Sequence, residues 1–212
     1  KFNIFEGEKV SVERINILGN NVTNESVIRS ELILDEGDPF TNLSLNKSIA
    51  KIRSRNIFSS VKSEIKEGSS NNLKIIDISV EEKPTGEISA GAGVGTNGGS
   101  VGFNIKENNW LGQGKNLSFD FEINQESIKG NLEYLNPNYD FLGNSISYSL
   151  NSTTNDKPDQ GYENTIVGAG IETRFEQYKN IFASLGLNLS YDDLRTLSSA
   201  SDTLKKQSGE FT

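Results

Sequence analysis

Glu82-Lys83-Pro84-Thr85-Gly86 is the stretch at which this chain changes physical character. Upstream of it apolar residues recur in a mixed α/β pattern; downstream, one alternating run follows another to the last residue. No apolar run near the bend is long enough to form a membrane-spanning helix, so a second half that meets lipid has to do so as a β-barrel. Pro84 has no N–H and a fixed φ. Strand pairing is therefore expected to stop there, with a linker over 84–86 and a new strand from Gly86.

Composition separates the same two parts. The 212 residues are 33% hydrophobic, too few for one thick soluble core, which favours two modest units. The net charge of -8 argues against nucleic acid, whose phosphates select clustered Lys and Arg. Up to Pro84 there are 12 basic and 13 acidic residues; from Thr85 onward there are 9 and 16, so the acidity belongs to the second part. With no Cys and no His, thiolate and disulfide chemistry, most zinc sites and every Ser/His/Asp triad are excluded. Lys1-Phe2-Asn3-Ile4 lacks a charged-then-apolar leader pattern, so an exported protein would have its native N-terminus upstream.

In the first part, residues 1–8 read as the tail of a preceding domain, and 9–83 as a compact unit. Val10, Val12, Ile15 and Ile17 approximate a half-buried strand closed by Gly19-Asn20-Asn21. Asn24 is placed to cap a helix from Glu25 to Leu34, with Val27, Ile28 and Leu32 inward. Asp35-Glu36-Gly37-Asp38-Pro39 breaks it. A second helix over Leu43 to Asn56 sets Leu45, Ile49, Ile52 and Asn56 in one stripe, leaving Lys47, Lys51, Arg53 and Arg55 as a solvated basic face. Strands over Phe58 to Glu67 and Leu73 to Val80 complete a β-α-α-β-β order.

The second part, 86–212, holds about seven strand candidates: Gly86 to Gly95, Ser100 to Asn108, Lys115 to Glu126, Ile128 to Asn136, Asn144 to Thr153, Glu163 to Phe175 and Asn180 to Asp193. In the third, Leu117, Phe119, Phe121 and Ile123 alternate with Asn116, Ser118, Asp120, Glu122 and Asn124. A soluble sandwich alternates too, but runs of about ten residues match tilted membrane strands rather than soluble ones, which are about half as long. Asp120, Glu122, Glu133, Glu172 and Lys129 suit a wet lumen. Every second connection carries aromatics, among them Trp110, Tyr139, Phe141 and Tyr178, expected on one rim at the membrane interface. Thr96 to Gly99, Thr154 to Tyr162 and Leu194 onward are polar and belong to the other rim.

Three motifs are decoys. Gly93-Val94-Gly95-Thr96-Asn97-Gly98 satisfies G-x-G-x-x-G but is followed by a strand, Ser100 to Ile105, not by the helix that would hold a pyrophosphate. Asp35, Glu36 and Asp38 lack the other positions of a calcium loop, and Asp156, Asp159, Asp192 and Asp193 are ordinary loop acids by default.

The β-α-α-β-β order, with Gly19-Asn20, Glu36-Gly37-Asp38-Pro39-Phe40 and Ile57-Phe58-Ser59-Ser60-Val61, resembles a POTRA domain, the periplasmic polypeptide-transport module. One position departs: Asn56 stands where the family often has Gly before Ile57-Phe58, and Asn also tolerates the left-handed conformation. Val80-Glu81-Glu82-Lys83-Pro84-Thr85-Gly86, a Gly-rich strand, Asn109-Trp110-Leu111-Gly112-Gln113-Gly114 and Asn136-Pro137 extend the likeness. Together they resemble the junction between the last POTRA domain and the barrel in the BamA family of outer-membrane β-barrel assembly factors.

The resemblance implies a fragment: an α+β POTRA domain followed by part of an antiparallel transmembrane barrel, about seven of the 16 strands of that family. It implies a non-enzymatic protein of the bacterial outer membrane with its POTRA domain in the periplasm and no cofactor. Partners would be unfolded outer-membrane proteins, assembly-complex lipoproteins and outer-membrane lipid. Substrate would add as a strand to an edge at Phe58, Val61, Ser63 and Ile65. Asp35, Glu36 and Asp38 would dock a lipoprotein, unless they form only a solvated interhelical turn. Gly86, Ile88, Ala90, Gly91, Gly93 and Gly95 would form a weakly paired first strand that opens laterally, unless those glycines only permit curvature. A related translocation and assembly module, a two-partner secretion transporter and a passive porin share enough of this plan to stand as alternatives, and a soluble β-sandwich remains a fourth.

Overall fold

The computed structural model describes residues 9–95, 98–140, 142–179 and 181–211, with the side chain of residue 211 left out. The expected domain tail at 1–8, Thr96 and Asn97 of the expected polar connection, and Phe141 lie outside the described residues. The chain divides into two compact units, one of Lys1–Thr85 with Leu111–Gly114, the other of Gly86–Trp110 with Lys115–Thr212.

In the first unit β1 (Ser11–Leu18) is followed by α1 (Glu25–Arg29), α2 (Asn42–Ser54), β2 (Phe58–Glu67) and β3 (Leu73–Glu82). The strands lie in the order β1-β3-β2, with β1 parallel and β2 antiparallel to β3. Inward residues of all three pack on the helices: Val12, Ile15, Ile28, Leu45, Ile49, Ile52, Ile57, Val61, Ile76 and Ile78 form one buried cluster. Burying an Ile contributes roughly 1.5–3 kcal/mol, and this cluster is what holds two short helices on a three-stranded sheet.

The first helix is shorter than its apolar pattern suggests. After Arg29 the chain tightens into i→i+3 bonds, Glu31 N–H to Ile28 and Leu32 N–H to Arg29, and the Ile33 N–H then donates to Ser48 Oγ on α2. That side-chain acceptor replaces a helical carbonyl and ends the helix. Asn24 stands at the N-cap with extended backbone but makes no side-chain cap bond, whereas Thr41 caps α2 by accepting from Ser44 N–H. Asn56 lies beyond α2 in the left-handed region, φ 57°, the conformation that makes Asn a workable substitute for Gly there.

The second unit is a meander of eight strands among the described residues: β4 (Gly86–Gly95), β5 (Gly98–Trp110), β6 (Lys115–Asn124), β7 (Ser127–Asn136), β8 (Ser145–Lys157), β9 (Tyr162–Tyr178), β10 (Ile181–Thr196) and β11 (Gly209–Phe211), with the four-residue α3 (Asp202–Lys205) before the last. The sequence pattern misses β11, a three-residue strand too short to show alternation. All pairs are antiparallel and sequential, with β4 and β11 at the edges. Alternate turns therefore fall at the same end of the sheet: those after β5, β7 and β9 at one end, those after β4, β6, β8 and β10 at the other.

Register separates the two faces. Ile105, Phe119, Leu132, Leu150, Ala169 and Leu189 are cross-strand partners in one row; Asn104, Asp120, Asn131, Asn151, Gly168 and Ser190 form a row on the opposite face. Among the described residues, Ala200 is the one buried hydrophobic residue of this unit, while Ile88, Leu150, Leu185, Leu187 and Leu189 are well exposed. A soluble sandwich would cover such a face; here the apolar side chains form a continuous outer surface of the kind that lipid covers.

Candidate functional site

The three-stranded sheet has two edges, and the sequence treats them differently. Along β1 the loop after α1 closes the edge with backbone bonds: Phe40 N–H to Val10, Val12 N–H to Asp38 and Gly37 N–H to Val12. The Ile15 N–H donates to Glu36 Oε1 at 3.0 Å. Glu36, assigned from sequence to partner docking, is thus also an edge cap, and Arg29 Nη1 lies 3.9 Å from the same oxygen. Asp38 Oδ2 accepts from Asp35 N–H at 2.9 Å, so the three acids share one tightly tied loop.

The opposite edge is β2. At its start Phe58 and Val61 are buried in the core, and Arg53 Nη2 donates to the Val61 carbonyl at 2.7 Å. From Lys62 onward the side chains of the strand, Ser63 and Ile65 included, are exposed. The four residues proposed as a strand-addition edge therefore divide, two anchoring the strand and two standing along its open portion. The acidic loop and β2 lie on opposite sides of the sheet and form no single site.

The basic face foreseen on α2 is not simply solvated. Arg55 keeps only 16% of its side chain exposed, pairs with Glu31 at 3.6 Å and donates to the Gly114 carbonyl. Burial pulls its pKa down, with the nearby Glu31 charge opposing. Lys51 lies 3.7 Å from the same Glu31. Sequence reading took these cations for surface charge because nothing local marks Glu31 as their buried partner.

In the second unit β4 is exposed at every residue. Its outer-face residues are Ile88, Ala90, Ala92 and Val94. The other face carries Glu87, Ser89, Gly91, Gly93 and Gly95, so three of the strand's four glycines sit together on the polar side while Gly86 shares the face of Ile88. A Cβ added at Gly91 or Gly95 would meet no atom within 4 Å among the described residues, and neither has positive φ. Along that face Ser89, Gly91, Gly93, Asn104, Asp120 and Lys129 line a concavity of about 740 Å³. Trp110, Tyr139 and Tyr178 fall at one end of the sheet, all partly exposed.

Family models match both halves: POTRA, surface antigen variable number repeat, over residues 10–83, and the Omp85 superfamily domain over 109–212. The chain is a POTRA domain followed by an Omp85 superfamily domain. It is 26% identical over 198 residues to outer membrane protein assembly factor BamA of Neorickettsia risticii (strain Illinois), spanning 91% of this chain and 26% of that protein. With BamA of Neisseria meningitidis serogroup B the identity is 25% over 186 residues, 87% of this chain and 22% of the relative. The chain thus spans about a quarter of the length of the curated relatives it matches.

Among solved structures, BamA from Haemophilus ducreyi lacking POTRA domains 1-3 superposes with a TM-score of 0.77 at 25% identity, over 90% of this chain and 37% of that one. CdiB from Acinetobacter baumannii gives 0.61 at 12% identity, over 89% of this chain and 39% of the other, a likeness of fold alone.

Within the POTRA domain, sequence reasoning missed Glu82. It stands at the end of β3, and its carboxylate accepts the backbone N–H groups of Asn21, Val22 and Thr23 at 2.6–3.2 Å. Burial pushes its pKa up, but the hydrogen bonds from Thr23, Val22 and Asn21 outweigh that and leave it below 4.5. Three consecutive amides converging on one carboxylate could not be read from a Glu 59 residues away from Thr23.

Proposed function

We propose that this chain belongs to a bacterial outer-membrane assembly factor that folds and inserts β-barrel proteins, with the POTRA domain on the periplasmic side and the Omp85 domain in the bilayer. The observation that carries the reading is the asymmetry of the POTRA sheet: β1 is sealed by a loop and a carboxylate, while β2 runs out exposed from Lys62 to Glu67. An open edge accepts an extended chain through backbone bonds and so tolerates many side-chain sequences, which suits a receiver of diverse unfolded substrates. Ser63 and Ile65 stand within that portion, with Phe58 and Val61 fixing the strand to the core.

The barrel strand β4 would then act as template. Interior glycines weaken a strand through entropy and lost packing. At Gly91 and Gly95 neither a neighbouring atom nor positive φ demands glycine, which favours weak pairing over curvature as their role. Gly86, Ile88, Ala90 and Gly93 belong to the same opening strand. The Asp35, Glu36 and Asp38 loop offers negative charge to a lipoprotein of the complex, and Trp110, Tyr139 and Tyr178 anchor one rim in the interface. No bond of the substrate is made or broken, and no cofactor takes part.

The test is site-specific photocrosslinking in the full-length protein, in liposomes, with an unfolded barrel substrate. Probes at Ser63, Ile65 and Ala90 should capture substrate and one at Arg14 on sealed β1 should not. Equal capture at Arg14 and Ser63 removes the edge argument, and ion conductance without any substrate insertion identifies a porin.

A further inference from the structure

The segment Leu111–Gly114 belongs to the POTRA unit and not to the sheet whose strands flank it in sequence. What holds it there is specific. The Asn24 N–H donates to the Gly112 carbonyl at 2.8 Å, and Arg55 donates to the Gly114 carbonyl. The segment is shaped for that seat: Leu111, Gly112 and Gly114 all have positive φ, at 55°, 70° and 63°. A Cβ on Gly112 would overlap the Val22 carbonyl oxygen, and one on Gly114 would come within 2.6 Å of Val27 Cγ1 and 2.7 Å of Arg55 Nη2. At Gly112 backbone approaches backbone and at Gly114 the Val27 and Arg55 side chains close in, and at both the positive φ also favours glycine.

The seat is itself shaped by a residue outside the segment. Asn21, Val22 and Thr23 point three successive N–H groups at Glu82, and the next amide in line, Asn24, is the one that reaches Gly112. A run of converging amides is a concave site for an anion, and here the anion is built in. Without a carboxylate at this position the three donors lose their common acceptor and loop 20–24 loses its fixed shape.

We propose that Glu82 is a positioning residue: by gathering the Asn21, Val22 and Thr23 amides it sets the Asn24 N–H and Val22 carbonyl that form the seat of the Leu111–Gly114 segment. The Arg55–Glu31 pair forms the other wall, independently of Glu82. This role goes beyond the proposed assembly function and does not depend on which substrate is handled.

Hydrogen exchange by mass spectrometry on the full-length protein in lipid nanodiscs tests it, following peptides 20–25 and 108–116 with 45–53 of the α2 core as reference. Glu82→Gln keeps size and removes charge; it should speed exchange in both 20–25 and 108–116 by about tenfold or more, with 45–53 unchanged. Arg55→Gln should speed 108–116 alone. If Glu82→Gln loosens 20–25 and leaves 108–116 at the wild-type rate, Glu82 only caps its own loop and the proposal fails. Should Glu82→Gln also loosen 45–53, the reciprocal variant decides: Gly112→Ala must speed 20–25, and an unchanged 20–25 overturns the coupling.

Discussion

A single charge placed on neighbouring residues of β10 separates a membrane sheet from a soluble one. Among the outer-face rows that the register defines are the five that end at Leu185, Leu187, Leu189, Tyr191 and Asp193. The first of these passes through Asn136 and Thr173 and the last through Thr154 and Thr165, so polar residues enter among the apolar ones at both ends and Leu189 holds the middle. From Leu185 to Asp193 the strand rises about 27 Å at ~3.4 Å per residue. Tilted by ~40°, this gives a band about 21 Å high, close to the ~25 Å apolar band of outer-membrane barrels. Leu189 is 80% exposed, so in water Leu189→Arg would change stability by no more than about 0.5 kcal/mol. At a bilayer midplane the same change costs roughly 2–4 kcal/mol, a 30- to 1000-fold shift in the folding equilibrium. Ser190→Arg, one residue on and facing the polar side, should stay near zero. Urea titration of the full-length protein in phospholipid vesicles, read by gel mobility of the folded form, measures both. Equal shifts for the two variants, within about 0.5 kcal/mol, would refute the lipid-facing assignment.

Four further outcomes follow from the POTRA domain. Ile52 is fully buried, so Ile52→Ala should destabilise the domain by about 2–5 kcal/mol in chemical denaturation, against less than about 0.5 for exposed Lys47→Ala. Ser48 is fully buried; its hydroxyl accepts from Ile33 N–H and donates to the Ser44 carbonyl, and Ser48→Ala should cost about 1–3 kcal/mol by stranding the Ile33 amide. Glu82 has its folded pKa held below 4.5, so its contribution is fully present above that value and disappears as pH falls through the folded pKa. The melting difference between wild type and Glu82→Gln should accordingly be full at pH 7 and shrink progressively as pH falls below the ordinary carboxylate range. For Glu36, the Gln variant keeps an acceptor for the Ile15 amide while removing charge. If the loop docks a lipoprotein by charge, Glu36→Gln lowers recovery of the complex in a pull-down without changing the melting temperature, and unchanged recovery rejects docking.

What the sequence made legible follows from where its periodicities are long. Leu117, Phe119, Phe121 and Ile123 alternate for a whole strand, and Leu45, Ile49 and Ile52 repeat on one helix face; each pattern is dictated by its neighbours on a single element. The ends of elements were less legible. Glu25 to Leu34 reads as one helix because Leu32 continues the apolar face, but the Ile33 amide finds Ser48 on another helix, and local propensity gives no sign of that partner. Likewise Arg55 looks exposed by charge until Glu31 is placed beside it. Of the candidate site, the β2 edge and the glycines of β4 could be named from pattern. The sealing of β1 and the work of Glu82 could not, since both depend on side chains meeting backbone amides far away in sequence.

Those distant contacts share one device, and it gives the POTRA sheet its polarity. Glu13 takes the Ser69 N–H at 2.6 Å, Glu36 takes that of Ile15, and Glu82 takes three from loop 20–24. An ionised carboxylate is an acceptor only, so each can satisfy donors that neither helix nor sheet reaches, at a strength above that of a neutral bond. Each of these acids keeps its charge while an oxygen is tied to the backbone, in a POTRA half that holds 13 acidic residues against 12 basic ones. They are also unevenly placed. Glu36 and its loop close β1, Glu82 fixes the loop leading into α1, and the exposed run of β2 is flanked instead by Lys62, Glu64, Lys66 and Glu67, whose charges discourage indiscriminate edge pairing without blocking the backbone. With no strand paired to it among the described residues and with charged side chains along it, that edge would, under the proposed function, admit an extended chain while resisting aggregation.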